Sequence, residues 1–473
     1  MRNNLILNTD SYKASHWLQY PPKTTKVFSY IESRGSAGDK NVYGDPALPR
    51  SMPETVFFGL QMFLKEYLSE PIIQADIEEA EAVFTAHGEP FNREGWQYIL
   101  DEYAGYMPVE IKAVPEGTVV PTKNVLVTVE NTDDKCFWLT SYIETALLRA
   151  IWYPTTVSTI SWRIKNLIRN YLQETADSTE GIGFKLHDFG ARGVSSKESS
   201  GIGGLAHLVN FMGTDTVEAL LYAKRYYGED MAGFSIPAAE HSSITTWGKD
   251  GEVDAYRNML TQFAKPGSLV AVVSDSYDIV KATKEIWGGV LKQEVIDSGA
   301  TVIIRPDSGN PAKVVVQVLK AAAESFGTTT NSKGYKVLNT VRVIQGDGIN
   351  EESIEEILDN MESNGFSAEN IAFGMGGALL QQMDRDTFKF AMKACAAEVD
   401  GKWIDVFKDP VTDPGKASKK GRVQLLRNKN GKYRTAPETN KLRCETAVLE
   451  TVFINGEIVK EYTFAEVREN AEG

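Results

Sequence analysis

Between residues 183 and 382, apolar positions come in short runs, each cut off by a polar turn and followed by helical spacing. Phe184 and Leu186 read as a strand that stops at His187-Asp188-Phe189-Gly190, with a helix expected from Ser195 to His207. Leu208 to Phe211 reads as a second strand, stopping at Gly213-Thr214-Asp215-Thr216. GFSIPAAEHSS precedes a helix expected from Val253 to Phe263. SLVAVVSD leads into SYDIVKATKEIW, ATVIIRPDSGNP into AKVVVQVLKAAAESF, TVRVIQGDG into EESIEEILDNMES, and NIAFGMGG into ALLQQM. That makes about seven strand-to-helix units. Continuous apolar strands such as Val302-Ile303-Ile304 suit a parallel sheet covered on both faces. A closed or nearly closed parallel βα barrel is the natural solution, with a doubly wound open sheet as the alternative.

The flanks are patterned differently. Lys26 to Ile31 reads as a strand, and residues 35–54 as an exposed loop rich in Gly, Pro and charge. Residues 56–105 are mostly helical by spacing, their aromatics read as core. Residues 108–131 switch to strand spacing, divided by Pro115-Glu116-Gly117 and Pro121-Thr122-Lys123-Asn124 into a small β-meander. A long helical region from Cys136 to about Thr175 is expected to break near Trp152-Tyr153-Pro154. After Asp384, strands at 386–410, VQLLRN, GKYRTA and VLETVFING surround the basic loop DPGKASKKGR. The expected organisation is an N-terminal α+β domain at 1–180, a βα barrel at 181–385, and a β-rich segment at 386–473 that rejoins the first domain.

Composition narrows the function. The 473 residues carry a net charge of −14, which argues against a nucleic-acid surface but leaves room for a local cationic pocket. Hydrophobic residues are 42% and charged residues 24%, an ordinary globular balance. Cys136, Cys395 and Cys444 are scattered, which suggests no disulfide framework and a reduced cytoplasmic setting. MRNNLILNTDSYK is too short and polar for a signal peptide, and no apolar run approaches the ~18 residues of a membrane span. None of His16, His87, His187, His207 and His241 falls in an HxxxH or HExxH pair, which disfavours a histidine metal site.

The expected strand ends collect Asp188, Phe189 and Arg192; Asp215; Glu240 and His241; Asp275; Arg305 and Asp307; Asp347; and Gly374, Gly376 and Gly377. In a parallel barrel these ends converge on one face. Taken singly, Asp275 or Asp347 could be a helix N-cap. GMGGALL fits a phosphate cradle, because glycines allow close backbone approach and a helix start offers free N–H groups. GIGGLA at Gly201–Ala206 matches a dinucleotide fingerprint but falls inside a helix. No Walker A motif is present, since Gly415-Lys416 is followed by Ala417. Arg192, Arg305, Arg385, Lys393, Lys408 and Lys416 could supply a cationic pocket for phosphate, the Lys416 stretch reading equally as a solvated loop.

Eleven stretches, TDSYK with QYPP, VFSYIESR, VPEGTVVP, HDFGARGVSS, NFMGTDT, PAAEHSSITTWGKD, VVSDSYDI, IIRPDSGNP, RVIQGDG, FGMGGALLQ and VFKDPVTDP, occur in this order along nearly the whole chain. Together they resemble the nicotinamide phosphoribosyltransferase family. The resemblance implies an irregular α/β barrel beside a β-rich domain, and a head-to-tail homodimer with two shared active sites. The implied reaction joins nicotinamide to 5-phosphoribosyl 1-pyrophosphate with Mg²⁺, with ATP as an optional co-substrate.

By the same resemblance, Phe189 stacks on one face of the pyridine ring and Tyr12 of the second subunit on the other. Asp215 accepts from the carboxamide. Arg192, Arg305 and Asp307 hold the ribose and its phosphate, with Gly346, Asp347, Gly376 and Gly377 around them. Arg34, Arg385, Lys393, Lys408 and Lys416 lie on the pyrophosphate side, with Asp10 from across the interface. His241 corresponds to a phosphorylated histidine, oriented and charge-balanced by Asp275 and Glu240. Magnesium arrives with the substrate, with Asp275 and Asp307 as candidate ligands.

Three positions depart from the family pattern: Ala271 and Ala391 where serines are expected, and Ala191 where a tyrosine is expected. Nicotinate phosphoribosyltransferase is the alternative enzyme, disfavoured because a carboxylate at Asp215 repels an acid substrate. A non-enzymatic dimeric binding protein is a further alternative. So is another phosphate-handling barrel enzyme, which has no need of the aromatic pair Phe189 and Tyr12.

Overall fold

The computed structural model describes residues 4–35, 54–409, 418–440 and 442–473. Most of the 35–54 loop and of the basic loop, with Lys416, lies outside these residues. The chain divides into two compact units. One comprises Met1–Thr159, Arg225–Glu229 and Met383–Gly473; the other comprises Ile160–Lys224 and Asp230–Gln382. Among the described residues no helix is long and apolar enough to cross a membrane.

The second unit is the barrel. Its six strands are all parallel, in the order Gly213–Thr214, Leu186–Asp188, Ile371–Met375, Val341–Gln345, Thr301–Arg305, Leu269–Val273. The last strand in sequence pairs with the first, and the others follow one another around the ring. This order belongs to a barrel, because a doubly wound sheet reverses direction at a switch point. The remaining gap, between Gly213–Thr214 and Leu269–Val273, is bridged by residues 234–239. Phe234 bridges Gly213, and Ala238 bridges Ala271. This segment was expected to be a strand. It is irregular because Pro237 has no N–H to give a ladder; only its carbonyl takes part, accepting from Ala271 N at 3.0 Å.

A second expectation fails nearby. Leu208 ends the helix Lys197–Leu208, and the strand is only Gly213–Thr214. Leu208, Val209 and Phe211 are buried because they close a buried helix end. A short apolar run does not distinguish that from a strand. GIGGLA does lie inside this helix, and its glycines serve packing. A side chain at Gly201 would meet the Tyr222 ring at 2.6 Å, and one at Gly204 the Ala219 methyl at 2.8 Å.

The first unit is built on a seven-stranded antiparallel sheet. Its order is Lys402–Asp405, Phe390–Val399, Thr24–Ser33, Val125–Asn131, Val109–Ala113, Glu450–Ile454, Glu457–Ile458. Both chain ends therefore contribute to one sheet. The meander expected at 108–131 is only partly formed: Val119–Pro121 leaves this sheet and pairs with Glu54–Val56.

The helix Glu144–Thr175 continues through Pro154, where a break was expected. An interior proline costs about 3 kcal/mol in a helix. Here the helix is clamped to residues 56–58 by its own hydroxyls. Thr155 Oγ1 accepts from Phe58 N at 3.2 Å, Thr159 Oγ1 accepts from Val56 N at 2.9 Å, and Ser158 Oγ donates to Val56 O at 2.7 Å. Gly59, at φ +107°, lets the chain pass against the proline ring; a Cβ there would lie 2.3 Å from Pro154 Cγ.

Candidate active site

The barrel interior is apolar where Ala271, Ile303 and Ile344 meet, with Phe189, Ile236 and Ala372 packed against them. Phe189 follows directly on the strand Leu186–Asp188 and is tied to the next strand by its N–H, which donates to Met375 O at 3.0 Å. Its ring packs against two glycines. A Cβ at Gly374 would come within 1.9 Å of the ring, and one at Gly346 within 3.3 Å. The turn behind it is held by buried Asp188, which accepts from Gly190 N at 2.7 Å. Burial pushes the Asp188 carboxyl above its usual range.

Asp215 stands beside this platform. Its Oδ1 accepts from Ser235 Oγ at 2.5 Å and lies 3.1 Å from His187 Nε2. Burial raises its pKa, but the His187 and Ser235 hydrogen bonds, with the charge of Arg305 behind them, outweigh burial and bring it below the ordinary value. Arg305 ends its own strand with a buried Nε that has no hydrogen-bond partner among the described residues. That atom is a donor left over for a ligand.

On the same rim, His241 Nε2 donates to Asp275 Oδ1 at 2.8 Å. Asp275 Oδ2 accepts from Asp307 N at 3.0 Å and Ser308 Oγ at 2.5 Å. Burial raises the Asp275 pKa, and these donors together bring it below the usual range. The preceding residue, Ser274, is pinned by Trp287 Nε1 at 3.0 Å, so Asp275 projects from a fixed strand end. Asp307 keeps its oxygens 3.9 Å from Arg305 Nε and 3.9 Å from His241 Nδ1, and burial raises its pKa despite Arg305.

Neither Asp275 nor Asp347 is a helix cap; Asp278 and Asn350 fill those places. Glu240 does not bond His241. Its carboxylate takes the Ser242 hydroxyl instead. Asp347 is exposed, and its carbonyl accepts from Gln345 Nε2. Arg192 is exposed on a turn at Ala191–Gly193 that runs close to Gly377, the start of the short helix Gly377–Leu380 that Gly376 precedes. Among the described residues no three His, Cys, Asp or Glu side chains are arranged to hold a metal. Of the two candidate magnesium ligands, Asp275 accepts one hydrogen bond at Oδ1 and two at Oδ2, while Asp307 has Arg305 and His241 no nearer than 3.9 Å.

A family model described as "Nicotinate phosphoribosyltransferase (NAPRTase) family" matches residues 184–457, and one described as "Nicotinamide phosphoribosyltransferase, N-terminal domain" matches residues 4–111. A nicotinamide phosphoribosyltransferase of Xanthomonas campestris pv. campestris is 57% identical, over 99% of this chain and 98% of the relative. The chain belongs to the nicotinamide phosphoribosyltransferase family. A second member of that family, from Acinetobacter baylyi, is 34% identical over 99% of this chain and 97% of its own length. The crystal structure of nicotinate-nucleotide pyrophosphorylase from Pyrococcus furiosus has the same fold. It aligns with a TM-score of 0.63 at 20% identity, covering 99% of this chain and 95% of that one.

The remaining residues that family resemblance singled out lie in the first unit. The TDSYK hook is a 3-10 helix, Ser11–Leu18, anchored at three points. Thr9 Oγ1 donates to Tyr142 O at 2.7 Å, Thr145 Oγ1 donates to Asp10 Oδ2 at 2.7 Å, and Lys13 pairs with Glu144 at 2.8 Å. Tyr12 is left 55% exposed, unusual for so large a ring. Arg34 Nε donates to Glu32 at 3.2 Å, while its buried Nη2 has no hydrogen-bond partner among the described residues. Burial lowers the Lys393 pKa, and the nearby charges of Arg34, Lys408 and Lys13 add to the effect against Glu144. Lys408 is exposed, and exposed Arg385 pairs with Asp386 at 3.1 Å.

Sequence reasoning missed His187, Ser235 and Ser308. Each sits within or beside a recognised stretch, but its partner is 20 to 33 residues away.

Proposed function

We propose that the protein transfers the phosphoribosyl group of 5-phosphoribosyl 1-pyrophosphate to nicotinamide, forming nicotinamide mononucleotide and pyrophosphate for NAD synthesis in the cytoplasm. The observation that carries this reading is the flat Phe189 ring on its two glycines beside Asp215, a carboxylate held ionised. A planar aromatic amide is the ligand such a pair suits.

In this reading the anomeric C–N bond forms as the C–O bond to pyrophosphate breaks. Positive charge grows on the ribose and negative charge on the leaving group. Asp307 faces the ribose, and Arg305 and Arg192 hold its 5′-phosphate with the Gly376-Gly377 turn and the Gly346-Asp347 turn. Arg34, Arg385, Lys393, Lys408 and Lys416 receive the pyrophosphate, supported by the buried Arg34 Nη2, which has no hydrogen-bond partner among the described residues, and by the concentration of positive charge around Lys393. Magnesium bound to the donor would neutralise pyrophosphate charge, with Asp275 and Asp307 as the carboxylates that would hold it. Tyr12 and Asp10 serve the site of a second copy in a homodimer; the exposure of Tyr12 supports this. His241 accepts a phosphoryl group from ATP, and that phosphate favours donor binding.

Nicotinate is the competing acceptor, and the charge on Asp215 disfavours it. The test is product formation from the ribosyl donor and Mg²⁺ with nicotinamide or nicotinate, with and without ATP. Product from the amide is the expected result; product mainly from the acid, or none from either, overturns the reading.

A further inference from the structure

The two donors to Asp215 converge on one oxygen. Ser235 Oγ is 2.5 Å from Oδ1 and His187 Nε2 is 3.1 Å from the same atom. A carboxylate only accepts, so Nε2 must carry a hydrogen whatever the charge of the ring. Among the described residues no hydrogen bond reaches Oδ2, and the Asp215 side chain is 49% exposed. His187 itself is only 13% exposed. Its ring is wedged between Phe189, at 5.3 Å between centroids, and Gly213, where a Cβ would stand 2.6 Å from Nδ1. The imidazole is therefore held by packing and spends its one directed bond on Asp215.

We propose that His187 is a positioning residue that sets the selectivity for an amide over an acid by locking Asp215 through Oδ1, so that only Oδ2 is offered to the acceptor. The inference rests on the proposed function and extends it to a residue outside the list drawn from the sequence. With Oδ1 saturated, the remaining oxygen can accept an amide N–H and can take nothing from a carboxylate. Without the lock, Asp215 can turn, share its oxygens with water, or gain a proton and donate to an acid. The acceptor discrimination would then fall without any change at the ribose.

The experiment compares kcat and KM for nicotinamide and nicotinate in the full-length protein and in His187→Leu and His187→Gln. The glutamine keeps a donor at about the same reach. His187→Leu should raise KM for nicotinamide about tenfold and narrow the amide-to-acid ratio of kcat/KM about tenfold, the usual scale for a hydrogen bond to a charged group. KM for the ribosyl donor should stay within about twofold. His187→Gln should recover most of the ratio. An unchanged ratio in His187→Leu overturns the proposal, as does a glutamine variant as unselective as the leucine. A packing role alone would weaken both acceptors equally and gain nothing from glutamine. Should His187→Leu fail to fold, His187→Asn takes its place, a polar side chain whose donor falls short of the position of Nε2, and an unchanged ratio there overturns the proposal too. If the unaltered protein makes product from neither acceptor, the proposed function itself fails. An active protein with an unmoved ratio removes only the role of His187.

Discussion

His241 rests on Asp275: Nε2 donates at 2.8 Å to a carboxylate that is 4% exposed, while the imidazole is 45% exposed. The buried acid fixes the ring through Nε2 and leaves Nδ1 uncommitted by any hydrogen bond among the described residues, 3.9 Å from Asp307 Oδ2. His241→Ala should abolish the gain in product caused by ATP. Asp275→Asn keeps the shape but removes the charge, and should cut that gain about tenfold, the scale seen for lost supporting partners. Product yield with and without ATP, and retention of acid-labile label from γ-labelled ATP, check both.

Asp215 gives a pH prediction with a definite sign. Its folded pKa is depressed, because the His187 and Ser235 hydrogen bonds outweigh the opposing effect of burial. Its contribution to stability is therefore present above the unfolded carboxylate value of ~3.9 and is lost as pH falls through the folded value. The amide-to-acid ratio should stay flat from about pH 5 to about pH 8, where Asp215 remains charged. Asp215→Asn replaces the charge with a group that can donate to an acid, and should lower the ratio on the order of 10²-fold. Competition between the two acceptors across that pH range measures both effects.

Gly374→Ala tests the ring platform. The new methyl would stand 1.9 Å from Phe189, which must move away from the barrel floor. A displacement of about 1 Å at a reacting site can cost on the order of 10²-fold. The expected loss is of that size in kcat/KM for the acceptor, with KM for the ribosyl donor far less affected. Steady-state kinetics with each substrate varied in turn checks it.

Glu116 tests the first unit, away from the catalytic groups. It is 2% exposed and accepts from Gly59 N at 3.1 Å, Gln61 N at 2.8 Å and Tyr227 OH at 2.5 Å. Burial raises its pKa against these three donors. Glu116→Ala strands all of them and should cost about 3 kcal/mol or more, while Glu116→Gln should cost less because it still accepts. Denaturant unfolding of both variants, followed by a probe in each unit, measures the difference.

Periodicity along the chain was sufficient for most of the barrel. Thr301–Arg305, Val341–Gln345 and Ile371–Met375 are continuous apolar runs bounded by polar turns, and all three are strands where that pattern placed them. It also placed Phe189, Asp215, Asp275 and Asp307 at strand ends, because a strand that stops in a polar residue exposes that residue at the rim. Three local readings failed, for one common reason. The strand expected at Leu208–Phe211, the one expected before His241, and the helix break at Pro154 each depended on what lay across from the segment. The first closes a buried helix end, the second lacks an N–H at Pro237, and the third is held by hydroxyls bonded to residues 56–58.

The order of residue types along this chain determined the alternation of strands and helices, the apolar floor and the set of polar strand ends, because burial on one face is a local, periodic property. Only the tertiary structure decided that the ring of strands closes with Ile371–Met375 beside Leu186–Asp188. It alone decided that Glu240 bonds Ser242 and not His241, and that His187 and Ser235 share one oxygen of Asp215. Those facts join residues far apart in sequence through directional bonds of about 3 Å, and no periodicity of a single strand or helix carries that information.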